Sequence, residues 1–190
     1  MAAPYQDNLY FAALPPRAVA AAMLRAWGSV GTADAFRHGK LHLTLQRVAP
    51  WRAAAGSAEA LAARVPALRT GAFDLLFDHL ATFGGGEDGW ALALACDARC
   101  SQPTNLAREL HAALRSHPLF MGQRTHVTPH VTLAYGAPIP QRFLPSAIHW
   151  HVDEIWLVHN HVGRNRPLER LARWALPEKP EPVQPELDFG

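Results

Sequence analysis

Two short segments of the chain carry the same chemically active side chains at the same spacing. His42-Leu-Thr-Leu45 and His130-Val-Thr-Leu133 each place a histidine two residues before a threonine. Because side chains alternate between the two faces of a β-strand, the histidine and the threonine of each segment are expected to share one face and the apolar residues the other. Each segment therefore presents an imidazole beside a hydroxyl on an apolar backing.

Brought together, two such segments could hydrolyse a phosphodiester without a metal ion. Histidine titrates near neutral pH, so one imidazole can act as a general base on water while the other protonates the leaving oxygen. The threonine hydroxyls can donate hydrogen bonds to the non-bridging phosphate oxygens and hold them for in-line attack. A single His-x-Thr in a strand is more often structural, but two copies in equivalent places favour a site. His42 and His130 are therefore the predicted catalytic residues, and Thr44 and Thr132 the predicted phosphate-binding residues.

The elements predicted around the two segments follow one order twice. In each half a strand leads to a helix and then to the strand that contains His-x-Thr-Leu. The predicted strands cover residues 8–14, 40–48, 73–77, 90–96, 130–135, 149–161 and 168–176, and the predicted helices cover 16–27, 57–68 and the segment after Pro103. This weak duplication predicts an α+β fold with two lobes and a cleft between them.

Composition limits the other function classes. The chain has 190 residues, of which 49% are hydrophobic and 18% charged, which is typical of a packed globular protein and excludes wholesale disorder. A formal net charge of +2 excludes a general basic coat for nucleic acid, and two cysteines exclude a disulfide framework. With no apolar run of about 20 residues and no secretory pattern at the start, a cytoplasmic protein without a membrane span is expected. Residues 177–190 are predicted to be a disordered proline-rich tail after a single bilobal domain at 1–176.

The paired tetrads resemble the motifs of the two-histidine phosphoesterase superfamily, in particular its bacterial and archaeal RNA 2′,3′-cyclic phosphodiesterases, also called 2′-5′ RNA ligases. The likeness runs in order over about residues 8–176 and includes Leu9–Pro16, Leu41–Leu45, Thr128–Leu133, Ile155–His159 and Leu171–Leu176. It implies a bilobal α+β fold of two antiparallel sheets with flanking helices and pseudo-twofold symmetry. Its lobes would be contributed by about residues 8–83 and 90–176.

The same resemblance implies the reaction. Members of the family hydrolyse an RNA 2′,3′-cyclic phosphate to a 2′-phosphate, and some join RNA reversibly through a 2′-5′ bond. The first histidine acts as the acid and the second as the base, which here are His42 and His130. No cofactor is expected. Two alternatives stay open: a phosphodiesterase acting on another small cyclic nucleotide, and a non-catalytic module that binds RNA ends.

The sequence departs from the family after the second tetrad. Many members have an arginine there that contacts phosphate, whereas this chain has Ala134-Tyr135. Tyr135 is therefore a candidate for hydrogen bonding or for stacking on a base, and Arg124 and Arg47 are candidates for the missing charge. Arg47 lies five residues after His42, so strand alternation predicts, unless the strand bends, that it points to the opposite face and is a solvated structural residue.

Two histidine pairs have a spacing that suits a metal. His149 with His151 and His159 with His161 could each bind zinc or copper from one strand face. No carboxylate or thiolate obviously completes either set, with Asp153 as the near candidate, so exposed strand histidines and no metal site are expected.

The tail contains one motif of its own. Gln184, Leu187 and Phe189 have the spacing of the short peptides with which bacterial repair proteins dock on the replication clamp. A match this short is easily accidental in a proline-rich tail. Docking on the replication clamp is thus a secondary expectation. The main expected partners are RNA ends or small cyclic nucleotides, and a monomer without membrane attachment is expected.

Overall fold

The computed structural model describes residues 8–28, 39–50, 58–86, 89–96, 100–120, 126–161 and 166–178. The helices within these residues are α1 (Arg17–Gly28), α2 (Ala58–Arg64) and α3 (Gln102–Leu114). The strands are β1 (Asn8–Ala13), β2 (Leu43–Pro50), β3 (Phe73–Gly86), β4 (Gly89–Cys96), β5 (His130–Gly136), β6 (Arg142–Val152), β7 (Glu154–Asn160) and β8 (Glu169–Ala175).

All of these strands belong to one antiparallel sheet in the order β6-β3-β4-β5-β2-β1-β7-β8. The sheet consists of two four-stranded halves, and a single residue pair, Leu43 with Val131, joins β2 of one half to β5 of the other. The α+β class predicted from the sequence is confirmed. The two antiparallel sheets implied by the resemblance meet here as the halves of one sheet.

The halves of the sheet are not the halves of the chain. β3 pairs with β4 and β6, and the β7–β8 hairpin returns to pair with β1. The predicted lobes, residues 8–83 and 90–176, therefore do not coincide with the two halves, because β3, β7 and β8 lie on the other side from the one expected. The order of elements can be read along the chain, but the choice of a partner strand depends on contacts between distant residues.

The predicted order of strand, helix and strand is present twice. β1 and β2, with α1 between them along the chain, lie in one half of the sheet, and β4 and β5, with α3 between them, lie in the other. Each helix packs across the joint, α1 against β6 and α3 against β2. In both halves the third member is the strand at the joint between the halves. An internal duplication of the sequence stays a prediction, and the pairing of these two third strands places the tetrads side by side.

The helices cover one face of the sheet. The buried side chains there form a large core cluster, which includes Met23, Trp27, Leu43, Leu106, Leu110, Leu114 and Val131. Burying one leucine side chain contributes roughly 1.5–3 kcal/mol, so the three leucines of α3 hold this helix on the sheet. The apolar residues of both tetrads belong to this cluster, which leaves the opposite face of β2 and β5 for the polar residues.

The predicted long strand at 149–161 is two strands. β6 ends at Val152 and β7 begins at Glu154, and the chain passes there from one half of the sheet to the other. The amide of Leu176 donates a hydrogen bond to the carbonyl of Asp153 (2.7 Å) at this crossing. The buried residues change parity at the break, from Trp150 and Val152 to Ile155, which is the sequence signal that marks it.

The amide of Ala72 donates to the carbonyl of Pro177 (2.7 Å), so the body of the fold includes the first residue of the predicted tail. Residues 179–190 lie outside the described residues, and with them the predicted clamp-docking residues Gln184, Leu187 and Phe189. No helix in the described ranges is long and apolar enough to span a bilayer.

Candidate active site

The joint between the two halves of the sheet brings the two tetrads together. Leu43 of β2 pairs with Val131 of β5, and each of them directly follows a tetrad histidine. In this antiparallel register His42 is the neighbour of Thr132 and His130 is the neighbour of Thr44. Residues directly opposite each other share a face, with Cβ atoms roughly 4.5–5.5 Å apart.

Burial confirms the predicted alternation. Leu43 and Val131 are fully buried on the helix-covered face, whereas all four polar residues of the tetrads are half-buried. The structure therefore places His42, Thr44, His130 and Thr132 as neighbours on one face, at the centre of the sheet.

Both catalytic candidates are oriented by the same backbone contact. The Nδ1 of His42 lies 2.6 Å from the carbonyl oxygen of Lys40, and the Nδ1 of His130 lies 2.8 Å from that of Thr128. A carbonyl can only accept, so Nδ1 carries the proton in both rings. In a neutral ring Nε2 is then the unprotonated nitrogen, and it is the atom that can exchange a proton with a substrate.

Each ring also packs against an aromatic side chain from the neighbouring part of the sheet. The ring centroids of His42 and Tyr10 are 4.9 Å apart, and those of His130 and Phe83 are 4.7 Å apart. These contacts restrict rotation of the imidazoles about χ2. Sequence reasoning missed Tyr10 and Phe83, because an aromatic residue in a predicted strand most often belongs to the core.

Each tetrad strand contains a β-bulge at the last leucine of its tetrad. The pairing of β1 with β2 passes from Ala12–Thr44 to Phe11–Gln46, so that Leu45 is the extra residue. A bulge inserts one residue and reverses the alternation beyond it.

The bulge in β5 lies at the equivalent place. The pairing of β4 with β5 passes from Ala93–Thr132 to Leu92–Ala134, so that Leu133 is the extra residue. The two strands that carry the candidate site are therefore irregular in the same way.

The bulges place Arg47 and Tyr135 on the face of the site. Arg47 is paired with Tyr10, which is on the same face of β1 as Ala12, the partner of Thr44. Tyr135 is paired in the same way with Ala91. The prediction that Arg47 points to the opposite face is wrong, because strict alternation was carried through a strand that contains a bulge.

Arg47 is well placed to meet an anion. Its side chain is exposed, and it forms no ion pair with any residue that the structure describes. Tyr135 is 43% exposed, which is unusual for an aromatic residue of an inner strand. The other candidate for the missing charge, Arg124, lies outside the described residues.

The two predicted histidine pairs have different surroundings. The side chains of His149 and His151 are 63% and 56% exposed, as expected, and both contact Asp74 at 2.9 Å. The hydrogen bond with His151 lowers the pKa of the Asp74 carboxyl below its ordinary value. The expectation of exposure is wrong for His159, which is 2% exposed.

The chain can now be assigned to a protein family. The family model of the 2′-5′ RNA ligase superfamily matches residues 15–164, and the chain belongs to this superfamily of two-histidine phosphoesterases. No curated protein matches the chain significantly.

Solved structures share the fold over almost the whole chain. A crystal structure of Escherichia coli LigT complexed with 3′-AMP has 22% sequence identity and a TM-score of 0.72, and the match covers 91% of this chain and 99% of LigT. A phosphoesterase crystal structure has 22% identity and a TM-score of 0.68, covering 92% and 100%. A protein of Thermus thermophilus has 23% identity and a TM-score of 0.64, covering 90% and 99%. At these identities the likeness is one of fold.

Proposed function

We propose that this protein is a metal-independent phosphodiesterase that opens the 2′,3′-cyclic phosphate at an RNA end to a 2′-phosphate. The observation that carries the proposal is the pair of imidazoles at the joint of the sheet, each with Nδ1 tied to a carbonyl and each beside a threonine of the facing strand. Membership of a phosphoesterase superfamily supports enzymatic activity in general.

The two histidines divide the proton transfers between them. Neutral His130 accepts the proton of a water molecule at Nε2 as the water oxygen attacks phosphorus. The bond from phosphorus to the 3′-oxygen breaks, and His42, protonated at the start, gives its Nε2 proton to that oxygen. The products are a 2′-phosphate and a 3′-hydroxyl. Proton exchange with solvent then returns both imidazoles to their starting protonation states.

The same site can join RNA if a 5′-hydroxyl takes the place of water. His130 then removes the proton of that hydroxyl, and His42 again protonates the departing 3′-oxygen. The product is a 2′-5′ phosphodiester, and the reverse reaction uses the histidines in exchanged roles.

The remaining residues of the face hold the substrate. Thr44 and Thr132 donate to the non-bridging oxygens, and a hydrogen bond to a charged oxygen contributes roughly 1.5–3 kcal/mol. Arg47 supplies the positive charge that the second tetrad lacks, and Tyr135 stacks on a base of the RNA end.

The nucleotide class is supported by complexes of a protein with the same fold. Escherichia coli LigT has been crystallised with 3′-AMP and, in a second complex at 20% identity and a TM-score of 0.65, with NADP⁺. These are small nucleotides, so a second candidate function is a phosphodiesterase acting on a small cyclic nucleotide rather than on RNA.

The proposal is tested by turnover of a short RNA that ends in a 2′,3′-cyclic phosphate. Turnover is measured in EDTA, and the products are identified by phosphorus NMR. The expected product carries a 2′-phosphate, and His42→Ala and His130→Ala should both lose turnover. His151→Ala is the matched control, because it removes an exposed histidine of the edge strand β6, which β3 and β4 separate from the tetrad strand β5. Turnover of a cyclic mononucleotide alone would select the second candidate, and tight binding of the RNA end without turnover would make the protein a binding module.

A further inference from the structure

A second group of histidines lies on the opposite face of the sheet from the candidate active site. His159 and His161 are two residues apart at the end of β7, and Glu169 of β8 is paired with His159. On its other side His159 is paired with Leu9, which belongs to the core cluster under the helices. The group is therefore separated from the tetrads by the sheet itself.

The position of the Glu169 carboxylate beside these two histidines is not evident from the sequence. No carboxylate has an obvious ligand spacing to the pair along the chain, whereas the β7–β8 hairpin brings Glu169 to it. The Oε2 of Glu169 is 3.1 Å from the Nδ1 of His159 and 3.2 Å from the Nε2 of His161. The two imidazole centroids are 3.9 Å apart.

These distances match the coordination sphere of a tetrahedral metal ion. Ligands roughly 2.0–2.1 Å from such an ion lie roughly 3.3 Å from one another. Each of the three residues offers one ligand atom, and all three atoms lie within 4.8 Å of one another, which is true of no other such group among the described residues. Small rotations of the side chains would therefore suffice to bind an ion.

Burial favours ligation over a solvated surface contact. The side chain of His159 is 3% exposed and that of His161 is 16% exposed, whereas that of Glu169 is 52% exposed. Two imidazoles are thus held in the protein, and the carboxylate leaves an open side for the entry of an ion and for a water as fourth ligand.

A described cation, Lys40, lies near this group. The ammonium of Lys40 donates to the carbonyl oxygen of His161 (2.8 Å) and to the Oδ1 of Asn160 (3.3 Å). Asn160 is adjacent to His159 along the strand, and its side chain therefore points to the other face. The two oxygens that accept from Lys40 are therefore not among the three ligand atoms.

We propose that His159, His161 and Glu169 bind a divalent transition-metal ion of the zinc class. Two imidazole nitrogens and one carboxylate oxygen suit Zn²⁺, Co²⁺ or Ni²⁺, and they do not suit Mg²⁺ or Ca²⁺, which take oxygen ligands. The ion would replace the two protons that the imidazoles donate to Glu169, so binding weakens on acidification. It would cross-link β7 to β8 and stabilise the fold, without a part in the reaction on the other face.

Titration of the EDTA-treated and dialysed protein with Co²⁺ tests the proposal. The expected result is a single ion per chain with the strong ligand-field absorption of a tetrahedral site, which Zn²⁺ abolishes by displacement. His161→Ala and Glu169→Gln should each weaken binding more than about tenfold, the lower end of what supporting groups of metal sites contribute. The melting temperature of the unaltered protein should rise on addition of Zn²⁺, and that of His161→Ala should not.

The chain offers a matched control. His149 and His151 are also two residues apart on a strand, and both contact Asp74, but in an exposed group. His151→Ala should bind Co²⁺ as the unaltered protein does. The proposal is overturned if the unaltered protein shows no tetrahedral Co²⁺ spectrum, or if His151→Ala loses as much affinity as a His161→Ala variant that circular dichroism shows to be folded.

Discussion

The half-site on β2 and the half-site on β5 hold their histidines by the same contacts. In each, Nδ1 meets the carbonyl of the residue two positions earlier, and the ring packs on an aromatic side chain. In each, the residue opposite the threonine on the next strand is a fully buried alanine, and a bulge follows at the leucine. The shared frame holds two imidazoles in one orientation relative to their own strands.

The half-sites differ five residues after the histidine. The bulge brings Arg47 to the face on β2 and Tyr135 to the same face on β5. A guanidinium suits a phosphate, and a phenol ring suits a base. For the proposed reaction the comparison predicts that the common contacts serve the proton transfers, while the residues beyond the bulges distinguish the two sides of the substrate.

Removing an imidazole should have the largest effect. His42→Ala and His130→Ala should each lower kcat on RNA 2′,3′-cyclic phosphate by roughly 10²–10⁴-fold, since each deletes one general acid–base group. An aryl phosphodiester with an activated leaving group separates the roles, because its leaving oxygen needs little protonation. On that substrate His42→Ala should be much milder, whereas His130→Ala should be as damaging as before. The opposite pattern would exchange the acid and the base.

Removing a threonine hydroxyl should have the next largest effect. Thr44→Val and Thr132→Val keep the shape of the side chain and remove one hydrogen bond to a charged oxygen, which costs roughly 1.5–3 kcal/mol, or about 10–150-fold in kcat/KM. Because the half-sites share one frame, the two variants should lose similar amounts, measured in steady-state kinetics on the same RNA. A loss confined to one of them would show that the phosphate binds to one half-site alone.

The residues beyond the bulges should respond differently from each other. Arg47→Ala should raise KM about tenfold and weaken the dependence of KM on salt, because an ion contact with phosphate is screened by salt. Arg47→Lys should restore part of the loss. Tyr135→Ala should cost roughly 1–3 kcal/mol of binding for substrates with a base to stack on, and Tyr135→Phe should cost little. An unchanged salt dependence in Arg47→Ala would remove this arginine from the phosphate.

Chelation should have the smallest effect on catalysis. In the proposed reaction both half-sites use protein groups as acid and base, so no ion is needed to activate water. Turnover of the cyclic phosphate after exhaustive EDTA treatment should equal that of the untreated protein, with the melting temperature recorded on the same samples. A loss of turnover that Zn²⁺ restores would contradict metal-independent catalysis.

Part of the fold could be read from local patterns. The tetrads and the order of strand and helix around them are written in short stretches of residues, and the α+β class follows from them. The sequence analysis predicts one strand across Asp153, although the change of parity between Trp150 and Ile155 marks the break locally. The division into lobes was predicted wrongly, because β3, β7 and β8 find their partners through contacts with distant residues.

What the sequence by itself determined is the chemistry of each strand: that a histidine and a threonine share a face opposite buried apolar residues. This is so because alternation is a property of each strand's own backbone. The tertiary structure alone decided that Leu43 meets Val131, that bulges turn Arg47 and Tyr135 to the site, and that Glu169 reaches His159. Register and bulges depend on how one strand fits its neighbour, and no residue of either strand specifies that fit alone.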